Sequence, residues 1–346
     1  MKALLHVNNI KDVGKKPRFS IFTNLGIMIT AINKLLISYI PWFREALLLM
    51  MFIFLVRAYI GGNVMPMNTR RVVNAIVTLD FKMLIYGVTI YFISGVIYIV
   101  SEFALQKYFV KSAEGVVKIK LMMLNSLDKA GRELNSEDIV GRISSDVDFV
   151  VWNLNGVLTT FIPNIFTSIT AMATLFSFDK VIGLCIAPTL APYILIAEYY
   201  SRRAEKARLK ERQAYSQSIV YIRDAVYGAK NGEINAKILN MWKENIVKVM
   251  WYDRIYWGVS LLTMFSSIGL ASYITFNYSK DDRIDVGMIA GVLSAISTAH
   301  SAFMNAIWAI CIQSQIIAAI KRILECISVD QKVEEKPITI YNLRLR

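Results

Sequence analysis

Charge is what this sequence has least of. Only 19% of its 346 residues are Asp, Glu, Lys or Arg, against about 25% in an average soluble domain, while 55% are hydrophobic. That shortage, with a mean hydropathy of +0.45, points away from a soluble globular protein and away from disorder. Histidine occurs only at His6 and His300, which excludes a His-rich metal site. The three cysteines, Cys185, Cys311 and Cys326, are too few and too scattered for a disulfide framework, and no C-x-x-C pair suggests a metal. Asp138 and Asp146 stand apart from any histidine, and no Ser/His/Asp or Cys/His nucleophile constellation is visible. No catalytic residue is expected in this chain. The first twenty residues carry lysines but no apolar core or small-residue cleavage site, so no secretory leader is read there.

What the sequence does have is long apolar runs. Six of them, at about 45–61, 83–104, 156–178, 181–200, 255–277 and 286–311, are long enough, or nearly so, to cross about 30 Å of hydrocarbon as helices. The first continues toward Met67, and only Asp179-Lys180 separates the third from the fourth, which makes a tight hairpin. The segment Ile21–Ile40 is also apolar, but Thr23, Thr30, Lys34 and Ser38 gather on one helical face. That pattern favours an amphipathic helix lying in the membrane interface over a seventh span, with Pro41-Trp42-Phe43-Arg44 turning the chain inward. The expected organisation is an interfacial segment at 1–44, a six-span domain at 45–327 and a linker at 328–346.

The 39 Lys and Arg residues outnumber the 26 Asp and Glu, giving a formal charge of +13. Their distribution gives that excess its meaning. With the N-terminus inside, the inner segments 1–44, 105–155, 201–254 and 312–346 carry 32 of the 39, the outer loops 6, and Arg57 lies within a span. Such an inside excess is membrane topology rather than nucleic-acid binding, and it places both termini in the cytoplasm of a multi-pass protein, by default at the plasma membrane. The basic run from Arg202 to Arg212 reads as a solvated face or a partner for anionic lipid headgroups.

Two inner segments are long while the outer loops are short. No glycine occurs from Leu184 to Tyr227, and no proline from Phe81 to Ala130. A helix over 181–227 would be roughly 70 Å long at ~1.5 Å per residue, so about 40 Å of it should project from the membrane. Two such legs imply that something in the cytoplasm is gripped.

Four stretches together resemble the transmembrane domain of ABC exporters. Ser136-Glu-Asp-Ile-Val-Gly-Arg-Ile-Ser-Ser-Asp-Val-Asp148 is similar to the family's T-G-[DE]-[IL]-[ILV]-S-R-[LI]-x-[SN]-D-V. Asp224-Ala-Val-Tyr-Gly228 resembles its E-x-[LI]-x-G, and Ile284-Asp-Val-Gly-Met-Ile289 its I-[ST]-V-G-x-[LI]. Ala318-Ala-Ile-Lys-Arg-Ile-Leu-Glu325 looks like its A-x-x-R-[IL]-x-E, and the resemblance covers about residues 40–330. Glu137 stands where the family has Gly, Asp224 where it has Glu, and Glu233 where Lys is common.

The resemblance implies an all-α membrane fold of six spans with cytoplasmic extensions, working as a dimer with a second copy or a homologous half-transporter. It also implies short transverse coupling helices at the tips of the legs, near Ser126–Leu134 and Ile234–Met241, with Asp128, Arg132, Glu133, Glu233, Asn235 and Lys237 meeting an ATPase domain. The sequence carries no G-x-x-x-x-G-K-[ST] loop to cradle ATP phosphates and no L-S-G-G-Q-like signature. ATP and Mg would bind a partner ATPase domain rather than this chain. The stretch Pro337–Arg346 resembles the first strand of such a domain, as expected of a truncation or of a chain whose ATPase is a separate polypeptide.

Candidate substrate contacts come from polar residues inside spans. Ser294, Ser297, Ser301 and Asn305 follow at steps of three and four, with Thr298 and His300 beside them. They form either the wall of a substrate cavity or a helix–helix contact, where small hydroxylated residues are also enriched. Arg57, midway along the first span, lies on an anionic substrate path or snorkels from a shifted boundary. Asn164, after Pro163, marks a kink or a ligand contact, and Pro188 and Pro192 mark kinks. Gly287-x-x-x-Gly291 matches a small-residue packing motif.

The expected function is that of a permease subunit moving a peptide-like, lipophilic or amphipathic solute outward by alternating access. A non-transporting remnant, scaffold or immunity-type protein of the same fold is the alternative. An ion-coupled carrier would need inverted repeats and intramembrane carboxylates, whereas Glu102 and Glu198 read as residues near span ends.

Overall fold

The computed structural model describes residues 43–130, 143, 146–227, 236–279 and 285–328. The interfacial segment Ile21–Ile40, the strand-like stretch Pro337–Arg346 and most of the Ser136–Asp148 motif lie outside the described residues.

The described chain is helical and holds six helices long and apolar enough to cross a membrane. The first crossing is built from α1 (Phe43–Tyr59), a π-helical turn (Ile60–Val64) and α2 (Met65–Val77). It runs some ten residues past Met67, so most of the stretch 62–82, expected as an outer loop, is helix, and the link to α3 is only Thr78–Asp80. The reason is local. Gly61-Gly62 and Pro66 look like helix terminators, but the turn absorbs them by widening, and the Met65 N–H bonds back to the Ile60 carbonyl. Pro66 has no N–H to offer the Gly62 carbonyl. The Thr174 hydroxyl, from the third crossing, donates to that oxygen at 3.0 Å instead. Thr170 does the same for the Ala58 carbonyl at 2.9 Å. Hydroxyls of a neighbouring helix thus satisfy backbone groups that the bilayer could not.

The second crossing, α3 (Phe81–Ala130), is one unbroken helix of 50 residues, about 75 Å long. The third is α4 (Val147–Phe178). The hairpin at Asp179 is a single extended residue, whose carboxylate caps the next helix by accepting from the Ile182 N–H at 2.8 Å. The fourth crossing is α5 (Lys180–Ile186), a 3-10 turn at Ala187–Leu190 where Pro188 and Pro192 interrupt the ladder, and α6 (Ala191–Val226). The fifth is α7 (Ala236–Ser279) and the sixth α8 (Val286–Ser328).

The stretches expected as coupling helices are described only in part. The described part of Ser126–Leu134 is the end of α3, and that of Ile234–Met241 is the start of α7.

Helix α8 is the axis of the bundle, packing against α2, α4, α6 and α7, with its most extensive contact on α4. Half of its most apolar stretch is buried within the molecule, against 11% for α3, whose Phe92, Ile99 and Phe103 are exposed. The N-terminal end of α8 is pinned. Asp285 accepts from the Met288 N–H at 2.5 Å and pairs with Arg70 of α2 at 2.9 Å, and Asn74 reaches both Asp285 and the Gly287 N–H. A Cβ on Gly287 would sit 2.2 Å from the Asn74 side chain and 2.4 Å from the Arg70 carbonyl, so only glycine permits this approach. Gly291, one turn on, faces Arg70 and Phe178, which accounts for the Gly-x-x-x-Gly spacing as a packing face.

Candidate functional site

Four helices enclose a cavity of about 710 Å³, within the range of small-molecule sites. Each contributes one face, at the i, i+3, i+4 spacing of a helix. The first crossing supplies Phe54, Arg57, Gly61 and Met65; α3 supplies Tyr98, Glu102, Leu105 and Phe109. From α4 come Thr159, Pro163, Asn164 and Thr167, and from α8 Ser297, Thr298, Ser301 and Ala302.

The only formal charges on this wall are one pair. Arg57 Nη1 donates to Glu102 Oε1 at 2.5 Å. The Arg57 guanidinium also lies over the Tyr98 ring, 4.7 Å from its centroid, and the Tyr98 hydroxyl donates to the Arg57 carbonyl at 3.0 Å. Two helices therefore clamp the arginine. The pair is asymmetric: the Arg57 side chain is 22% exposed and that of Glu102 60%. This gives Arg57 a partner within the bundle, which neither an anionic path nor snorkelling had supplied.

Of the other sequence candidates, Asn164, Ser297, Thr298 and Ser301 line the cavity. Ser294 and Asn305, above and below that face of α8, are half-buried outside it. His300 is fully buried and turned away, about 200° around the helix from Thr298. Its two ring nitrogens lie 3.1 Å from the hydroxyls of Thr189 and Tyr193, bonds that tie α8 to the fourth crossing. Arg132, Glu133, Glu233 and Asn235 lie outside the described residues. Asp128 and Lys237 fall in the end turns of α3 and α7, and their side chains are likewise outside the description.

Glu102 is the residue that sequence reasoning passed over. A single acid in an apolar run, facing a single base in the run before it, was the available signal. The aromatic lining from Phe54, Tyr98 and Phe109 left no signal in a sequence where aromatics are 12% of residues.

Further in, α6 and α7 are joined by polar contacts between their legs. The Tyr200 hydroxyl bonds the Asp253 carboxylate, Arg208 lies 3.9 Å from Asp253, and Trp242 Nε1 donates to Glu211 at 3.0 Å. At the N-terminal end of α8, burial disfavours the charge of Asp285. Arg70, the Met288 N–H and the Asn74 amide outweigh it and hold the carboxyl below the usual range.

A six-crossing helical bundle with extended legs and a polar cavity among its crossings defines a class of membrane domain. The chain belongs to the ABC transporter transmembrane region family, whose model matches residues 48–231, more than half of its length. Comparison with curated proteins gives no match.

Proposed function

We propose that this chain is the permease subunit of an ABC-type exporter at the plasma membrane. It carries a peptide-like, lipophilic or amphipathic solute outward, as a dimer with a second copy or a homologous half-transporter. Its energy comes from ATP and Mg bound to an ATPase domain outside these residues. The cavity among the first, second, third and sixth crossings supports this reading most directly. It combines aromatic and aliphatic walls with hydroxyl, amide and charged groups, a mixture suited to an amphipathic solute. Alternating access would reshape it as one packing of the bundle gives way to another.

Co-purification from native membranes tests the proposal. An ATPase polypeptide should come down at about one to one, and ATP turnover of the complex should rise with amphipathic solutes. A chain that purifies alone and is indifferent to ATP overturns it.

A further inference from the structure

We infer that the cavity selects cationic amphiphiles, with the Glu102 carboxylate as the charge that meets them and Arg57 as the internal cation they compete with. The inference rests on the reading of this cavity as a solute site and adds the sign of its charge. Three observations carry it.

First, within the ion pair the acid is the open member. Arg57 is packed against Tyr98 and spends Nη1 on Glu102, whereas Glu102 is 60% exposed and only its Oε1 is engaged by Arg57. A solute in the cavity meets carboxylate oxygen before it meets guanidinium. Second, two neutral polar groups of α4 keep acceptor oxygens toward the cavity. The Thr159 hydroxyl donates to the Asn155 carbonyl at 2.8 Å, and Asn164 Nδ2 donates to the Thr160 carbonyl at 2.7 Å. The Thr159 hydroxyl proton and one Asn164 N–H are directed into the α4 backbone, so both side-chain oxygens keep lone pairs for a ligand. Third, the half-buried Phe109 lines the same space, and ring faces attract cations and repel anions. An ammonium, guanidinium or quaternary cation on an apolar body satisfies all three. An anion would meet the exposed Glu102 carboxylate beside a guanidinium already paired with it and packed on the Tyr98 ring.

The test uses two ions of the same shape and opposite charge, tetraphenylphosphonium and tetraphenylborate. Each is equilibrated by dialysis against the purified full chain in detergent micelles, with empty micelles subtracted. Tetraphenylphosphonium is expected to bind saturably, at least tenfold more tightly than tetraphenylborate. Glu102→Gln should weaken phosphonium binding at least tenfold. Arg57→Gln, which frees the carboxylate, should tighten it several-fold, a gain that misfolding cannot produce. The inference is overturned if tetraphenylborate binds as tightly as its counterpart, or if a monodisperse, helical Glu102→Gln variant keeps phosphonium affinity within twofold. If neither variant stays monodisperse, the wild-type comparison of the two ions decides. These outcomes separate from the transport proposal. A preference for the borate removes the cation assignment and leaves the export cavity. Failure to recruit an ATPase removes export and leaves the binding result.

Discussion

Single atoms decide how closely the first and third crossings approach. A Cβ on Gly62 would lie 2.0 Å from Thr170 Oγ1, 2.6 Å from the Thr167 carbonyl and 2.7 Å from the Ala171 nitrogen, two of which are rigid backbone. Gly62→Ala should therefore cost about 1–3 kcal/mol or more, as overpacking does, seen as a lower unfolding temperature in detergent. Its neighbour is the control. A Cβ on Gly61 would meet only the Tyr98 hydroxyl at 3.1 Å and a Thr167 methyl at 3.6 Å, so Gly61→Ala should cost far less. Thr174→Val keeps the shape but removes the donor to the Gly62 carbonyl, and should cost about 1 kcal/mol by the same measurement. Asp285 has a pH signature. Its folded pKa is depressed, so its contribution is complete above the ordinary carboxylate value near 4 and is lost as pH falls through the lower folded value. The stability gap between wild type and Asp285→Asn should hold from pH 8 to about 5 and shrink below about 4. With both partners more than a third exposed, the ion pair contributes at most ~1 kcal/mol. The helix cap adds about 1 kcal/mol.

At the level of elements, α8 divides its polar residues between two tasks. Ser297, Thr298 and Ser301 border the cavity, while His300 bonds to Thr189 and Tyr193 in a buried aromatic cluster. His300→Ala should lower the unfolding temperature through the lost bonds and the hole left behind, about 2–4 kcal/mol, and leave cation affinity in place. Ser301→Leu should do the reverse, shifting affinity more than stability. The sequence made the polar stripe visible but not its division, because the half-turn separating His300 from Thr298 matters only once α6 and α4 are known to lie on opposite sides. The six crossings were legible because each is a long apolar run bounded by charges. The π turn was not, because Gly61-Gly62 and Pro66 carry the residue types of a helix end. The hydroxyls of Thr170 and Thr174 that reach carbonyls at this turn come from more than a hundred residues away. The Arg57–Glu102 pair was hidden for a related reason: a separation of 45 positions gives no periodic cue.

For the whole molecule, the orientation read from Lys and Arg counts is open to direct test. The Thr78–Asp80 link should face outward and the exposed Lys210 of α6 inward. In a background without Cys185, Cys311 and Cys326, Leu79→Cys should react with an impermeant maleimide on intact cells, and Lys210→Cys only after permeabilisation. The opposite pattern would invert the topology.

The pinning of α8 at Asp285, Arg70, Asn74 and Gly287 makes that helix a lever with its fulcrum at its N-terminal end. From that point to Ser328 is about 65 Å, while Ser297–Ala302 sit only about 18–26 Å along it. A tilt of about 5° would sweep the inner tip through roughly 6 Å yet move the cavity wall by only about 2 Å at ~1.5 Å rise per residue. The geometry is that of a reduction gear: a broad stroke at the far end of the helix would become a fine adjustment at the cavity wall.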